Sequence, residues 1–225
     1  MHQLIDKKNK IIIYSLFLFI LSTTTPKFTK NYKNYFFTVN KINIEGLSNT
    51  ENTKILNELK YIVYNNILVI PKEDIKNVIS KYNIIEEYSV QKIYPATINI
   101  NIKPTKFIAR ISNEDHLFVG ANGKLIKDKN NSEILPYIFG KFDSSNFLFF
   151  KNNIEKSKFT FSKFKTLYFF PSNRWDILTS EDILIKLPQD NFLESLKLAY
   201  KIINSNDFKN NKLIDLRVNK HLVIK

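Results

Sequence analysis

The sequence contains no cysteine, which removes disulfides, thiolate metal ligands and thiol nucleophiles from consideration. Glycine is nearly as scarce, at 4 of 225 residues, and no Gly-rich loop is present to wrap a phosphate. The three histidines stand apart: His2 in the N-terminal tail, His116 after Asp115 ahead of a hairpin, and His221 near the C-terminus. None falls into metal-ligand spacing or a nucleophile elbow. The adjacent acids Glu86-Glu87 and Glu181-Asp182 sit at a strand entry and a turn, where solvation accounts for them. With no catalytic constellation, no metal site and no cofactor motif, a non-enzymatic binding protein is expected.

Acidic residues are in deficit, 21 against 34 Lys and Arg, for a formal charge of +13. Such a balance suits nucleic acid or anionic lipid. The lysines, however, are spread among Asn, Ile, Phe and Tyr along the whole chain and form no nucleic-acid-binding pattern, so a solvated surface is expected and nucleic acid is not a partner. A hydrophobic fraction of 44% with 24% charged residues marks a folded chain, long enough for one large or two small domains.

The sequence also lacks an apolar run of the ~20 residues that a spanning helix needs. Its longest, within "KNKIIIYSLFLFILSTTTPKF", holds 15 uncharged residues, Ile11 to Thr25. That length overlaps the core of a signal peptide, so one reading is a periplasmic carrier or hydrolase released by cleavage. Ser22 to Thr25 offer no A-x-A type of cleavage site, which favours the other reading: an uncleaved signal anchor over residues 11–26 with residues 1–10 as a cytoplasmic tail. Lys7, Lys8 and Lys10 before the segment are matched by Lys27, Lys30 and Lys33 after it, so flanking charge sets no orientation. Size does, because long domains translocate largely regardless of charge; the body is expected outside the cytoplasm.

After the anchor, "FTVNKINIEGL" reads as a strand closed by Gly46. Two helices are expected next. The first opens on a Ser48/Glu51 capping box and carries Ile55, Leu56, Leu59, Ile62 and Val63 on one stripe; the second has Pro71 in its first turn and repeats Ile75, Val78, Ile79 and Tyr82. Two strands follow, one with Tyr88 and Val90 on a face and one with Ile98, Ile100 and Ile102, joined by a turn at Tyr94-Pro95. This order predicts a three-stranded sheet with both helices on one face.

Farther on, "LPYIFGKF" (135–142) has the Pro and Gly of a connector, and 143–165 shows no clear period. "TLYFF", "RWDIL" and "ILIKLP" read as strands, followed by a helix capped at Asn191 with Glu194 at its third position and Phe192, Leu196, Ala199 and Ile203 inward. The sole tryptophan, Trp175, is expected in the core, on the face opposite Asp176. The final stretch, "IDLRVNKHLVIK", alternates at Ile214, Leu216 and Val218 and again at Leu222 and Ile224. It predicts a terminal strand whose open edge invites another chain.

The β-α-α-β-β module after a single anchor, with "VQKIYPATINI", "FIARI" and the hairpin "LFVGANGKLI", resembles the POTRA domain of the FtsQ/DivIB bacterial cell-division family. POTRA modules also occur in outer-membrane assembly proteins. Lys92, Pro95, Ile98, Ile100 and Ala109 fit the family pattern, while Lys103 and Phe107 stand where it usually has Glu and Pro. The order "RWDI…IKLP…helix…IDLRV…LVIK" is similar to the β-domain of the same family.

The resemblance implies an α+β fold: an N-terminal transmembrane helix, a β-α-α-β-β POTRA domain over 37–104, and a mainly antiparallel β-domain with one C-terminal helix over 105–225. It implies a single-pass protein of the inner membrane and division septum, with the body periplasmic, no cofactor and no enzyme activity. Its expected partners are FtsB/DivIC-type and FtsL-type proteins, with FtsK, FtsW and FtsI types reached through the POTRA domain and anchor. By the same resemblance the FtsB-type partner adds a strand along Val218, Asn219, Lys220, Leu222 and Ile224, and Arg174 and Arg217 hold one of its acidic residues. The alternative is that Leu222 and Ile224 complete the internal sheet and Arg217 pairs with a neighbouring acid.

Overall fold

The computed structural model describes residues 7–22, 37–205, 212–218 and 223–224. Helix α1 (Lys7–Ser22) begins on the lysines expected to precede it and ends before the three threonines. At 16 residues it is about 24 Å long, and among the described residues no helix is long and apolar enough to cross a membrane. Its large apolar side chains from Ile11 to Leu21 are all 53–70% exposed, evenly around the helix.

The first sheet has the order β1-β3-β2, from β1 (Lys41–Glu45), β2 (Ile85–Ile93) and β3 (Thr97–Pro104). β1 runs parallel to β3 and β2 antiparallel to it. The parallel pair requires a crossover, and α2 (Asn49–Glu58) and α3 (Lys72–Ile79) supply it between β1 and β2. Ile98, Ile100 and Ile102 turn the same face of β3 into a core with Ile55, Leu59, Ile75, Val78 and Ile79. Ser48 caps α2 by accepting from the Glu51 amide, and its hydroxyl in turn donates to the Glu51 carboxylate at 3.0 Å. Gly46 ends β1 at φ +113°, a left-handed turn in which a Cβ would run into the backbone of Ile102. The predicted first helix is shorter than its apolar stripe, which continues through a 3-10 turn at Lys60–Ile62.

The second sheet has nine strands in the order β12-β11-β10-β9-β8-β7-β4-β5-β6. These are β4 (Phe107–Ile111), β5 (Leu117–Gly120), β6 (Leu125–Lys127), β7 (Tyr137–Phe139), β8 (Phe164–Phe170), β9 (Arg174–Thr179), β10 (Leu184–Lys186), β11 (Leu213–Asp215) and β12 (Val223–Ile224). It is more mixed than expected, since β4 and β7, β7 and β8, and β10 and β11 pair in parallel. Two of those pairs are closed by helices: α4 (Ser144–Lys156) links β7 to β8, and α5 (Phe192–Ile203) links β10 to β11. β8, β9 and β10 alternate in direction, so both crossovers start from strands of the same sense and step the same way along the sheet. Equal handedness then puts both helices on one face, where Phe147, Phe150, Ile154, Leu196, Ala199 and Ile202 share a core with Trp175, Ile177, Ile185 and Ile214.

Three expectations are corrected here. The segment 135–142 is not a connector, because Tyr137–Phe139 is an inner strand that fills the gap between β4 and β8. The domain has two helices, not one: Asp143 starts α4 with a reciprocal cap to Asn146. α5 has no side-chain cap at all, since Asn191 is in the left-handed region at φ +54° and Glu194 pairs with Lys197 instead.

Candidate partner-binding edge

Successive side chains of β9 point to opposite faces of the sheet. Trp175 and Ile177 enter the core, so Arg174 and Asp176 lie on the face that carries no helix. Register then aligns a row across four strands: Asp176 faces Lys186 on β10, Lys186 faces Asp215 on β11, and Asp215 faces Val223 on β12. The row runs acid, base, acid and ends in a valine at the sheet's edge, 46% exposed.

The two arginines bracket this row. Arg174 donates from Nε to Asp176 Oδ1 at 3.2 Å, and its guanidinium lies 4.4 Å from the ring centre of Phe170. Arg217 grips Asp215 bidentately, from Nε at 2.8 and 3.0 Å and from Nη2, while its backbone amide also donates to Oδ1. Asp176 is only 3% exposed, and that burial raises its carboxyl pKa against the attraction of Arg174 and, more weakly, of Arg217. Asp215 is lowered, first by the hydrogen bonds from Arg217.

Four of the seven expected site residues, Arg174, Arg217, Val218 and Ile224, fall among the described residues. Arg174 opens β9 and Arg217 follows β11, and each already holds an acid of its own chain, which for Arg217 is the alternative stated above. Val218 is 61% exposed in the bend after β11. Asn219, Lys220 and Leu222 lie outside the described residues. Ile224 belongs to β12, where its backbone is in register with Ile214. β12 thus pairs antiparallel with β11 and, among the described residues, is the last strand of the sheet. The acids Asp176 and Asp215 were not singled out from the sequence, although R-x-D at 174–176 and D-x-R at 215–217 each place opposite charges two residues apart, on one face of a strand.

Two family models match the chain in succession: "POTRA domain, FtsQ-type" over residues 37–103 and "Cell division protein FtsQ/DivIB, C-terminal" over residues 109–217. Among curated relatives, the cell division protein FtsQ of Rickettsia prowazekii is 28% identical over 80% of this chain and 69% of its own length. That of Rickettsia bellii is 27% identical over 84% of this chain and 73% of its own. Both matched models follow the order of the two sheets, and the second takes in Arg174, Asp176, Asp215 and Arg217: the chain belongs to the FtsQ/DivIB family of cell division proteins.

Proposed function

We propose that this chain is a non-enzymatic bitopic scaffold of the bacterial division machinery that binds an FtsB/FtsL-type complex through the β12 edge and so helps control septal peptidoglycan synthesis. The observation that carries the reading is the end of the second sheet: a two-residue strand that no other described strand pairs on its outer side, in line with a row of alternating charge and near Arg217. A partner strand laid along β12 gains main-chain hydrogen bonds, and alternate side chains select it. An acidic residue on that strand competes with Asp215 for the guanidinium of Arg217. Such bidentate recognition is stronger and more directional than a lysine contact.

In this reading residues 1–10 are cytoplasmic, 11–26 anchor the chain in the inner membrane, and the POTRA domain (37–104) and β-domain (105–225) lie in the periplasm at the septum. The even exposure of α1 supports the anchor, since a helix apolar on every side needs a lipid or protein environment. FtsK-, FtsW- and FtsI-type proteins meet the POTRA domain and anchor.

The test is binding of the detergent-solubilised full chain to a C-terminal FtsB-type peptide. Arg217→Glu and Leu222→Pro are each expected to weaken binding more than roughly tenfold, or 1.4 kcal/mol. The melting temperature of each free variant is measured alongside, so that loss of binding is separated from loss of folding. Unimpaired binding by both variants rejects the site.

A further inference from the structure

The first sheet has two poles of opposite character. At one, β3 runs into the second sheet, and Glu45, Glu86, Glu87 and Lys103 lie near its end. At the other, three segments are tied together by backbone hydrogen bonds: Val39 to Asn65, Tyr64 to Val39, Ile67 to Phe37, and Asn40 and Lys41 to Ala96. Lys92 Nζ adds a bond to the carbonyl of Ile70 at 2.8 Å. The pole is therefore a single surface made of residues 37–41, 60–72 and 92–97.

This surface leaves apolar side chains in the open: Val69 is 73% exposed, Tyr94 56%, Leu68 52%, Ile93 47% and Phe37 39%. Tyr64 is 83% exposed and stands at φ +71°, a left-handed conformation that costs a tyrosine energy and turns its ring outward. The same three segments contain Lys41, Lys60, Lys72 and Lys92 and not one Asp or Glu. Tyrosine and aliphatic side chains among lysines, with the nearest acids, Glu73 and Asp74, at the rim in the first turn of α3, are a composition that partitions into the headgroup region of an anionic bilayer.

Position points the same way. Residue 37 enters at this pole, and only residues 23–36 separate it from the apolar α1, a tether of at most about 50 Å. We propose that this pole of the POTRA-type sheet is a lipid-binding tip whose apolar side chains enter the interface of an anionic membrane while its lysines meet the phosphates. The proposal rests on the reading of α1 as a membrane anchor, which holds the tip at high local concentration beside the bilayer, so that a weak contact suffices.

The absence of cysteine makes the test direct. Single-cysteine variants Val69→Cys, Tyr64→Cys, Lys103→Cys and Leu16→Cys of the full chain carry an environment-sensitive NBD label and are reconstituted into vesicles of phosphatidylethanolamine and phosphatidylglycerol. Labels at positions 69 and 64 are expected to shift to the blue and to be quenched by nitroxide-bearing lipids, less so in phosphatidylcholine alone. The label at 103, at the opposite pole, should stay aqueous. If positions 69 and 64 stay as aqueous as 103 while position 16 is quenched, the tip is refuted and the anchor stands. If those same positions are then shielded only in native envelopes, the surface docks a protein and the lipid assignment is again refuted. An aqueous label at 16 with quenched labels at 69 and 64 would instead remove the anchor and leave the tip.

Discussion

Trp175 is surrounded by rings: Phe150 stacks on it at 4.5 Å, Phe169 lies at 4.8 Å and Phe142 at 5.8 Å, and the indole is 1% exposed. It joins α4 to the sheet, so its removal opens a cavity under both. Trp175→Ala is expected to cost about 3–5 kcal/mol, a large share of the roughly 5–15 kcal/mol that holds a domain folded. Denaturant unfolding followed by far-UV circular dichroism checks this; an unchanged midpoint would move Trp175 from the core to an interface. One place along β9 the same alternation delivers Asp176 to the other face. The sequence alone gave Trp175 to the core because one neighbour was charged. It did not show that Arg174 and Arg217 have partners already, although the two-residue spacing of their acids carries that information on any strand.

At the scale of elements, legibility followed periodicity. α2, α3 and the Ile98-Ile100-Ile102 strand were readable because their apolar residues repeat at helical or strand intervals over a single buried face. α4 was not read, yet Phe147, Phe150 and Ile154 recur at i, i+3 and i+7. The signal was hidden by Leu148 and Phe149, further apolar residues off that stripe, and by a cap of Asp143 with Asn146 in place of the usual Ser/Thr with Glu/Gln. The cap is real: the Asp143 carboxylate accepts from the Asn146 amide at 2.8 Å, and the Asn146 side chain accepts from the Asp143 amide at 3.1 Å. Asp143→Ala is expected to cost about 1 kcal/mol, read as a lower melting temperature, whereas Asp143→Ser should recover most of it. Equal stability of the Ala variant would show that packing alone fixes where α4 begins. In the other direction, N-x-x-E at Asn191 looked like a cap and is none, because the tight entry from β10 places Asn191 in a left-handed conformation that turns its side chain away from the helix start.

For the whole molecule, the two sheets are stitched where β3 gives way to β4. Asn122, in the β5–β6 turn, donates from Nδ2 to the carbonyls of Asn83 at 2.9 Å and Ile85 at 3.1 Å, and its amide donates to Thr105 Oγ1. The Thr105 hydroxyl in turn donates to Glu86, and Asn83 Nδ2 returns a bond to the carbonyl of Leu125 at 2.9 Å. One asparagine thus holds the end of the first sheet to a hairpin of the second. Asn122→Ala is expected to leave each core intact, since each bond is worth about 0.5–1.5 kcal/mol, while widening the distance distribution seen by small-angle scattering. A profile identical to that of the unaltered chain would place the rigidity elsewhere in the junction.

Sequence by itself determined the order of the elements in the first sheet, the strands β8 to β10 and α5 of the second, most of the faces that become core, the family and the absence of cysteine chemistry, because these depend on local periodicity and residue type. Only the tertiary structure decided which strands become neighbours: β7 between β4 and β8, the parallel pairing closed by α4 and α5, and the alignment of Asp176, Lys186, Asp215 and Val223. Strand neighbours are chosen by contacts between residues far apart in the chain, through crossover handedness and shared burial, and no short window of sequence contains both partners.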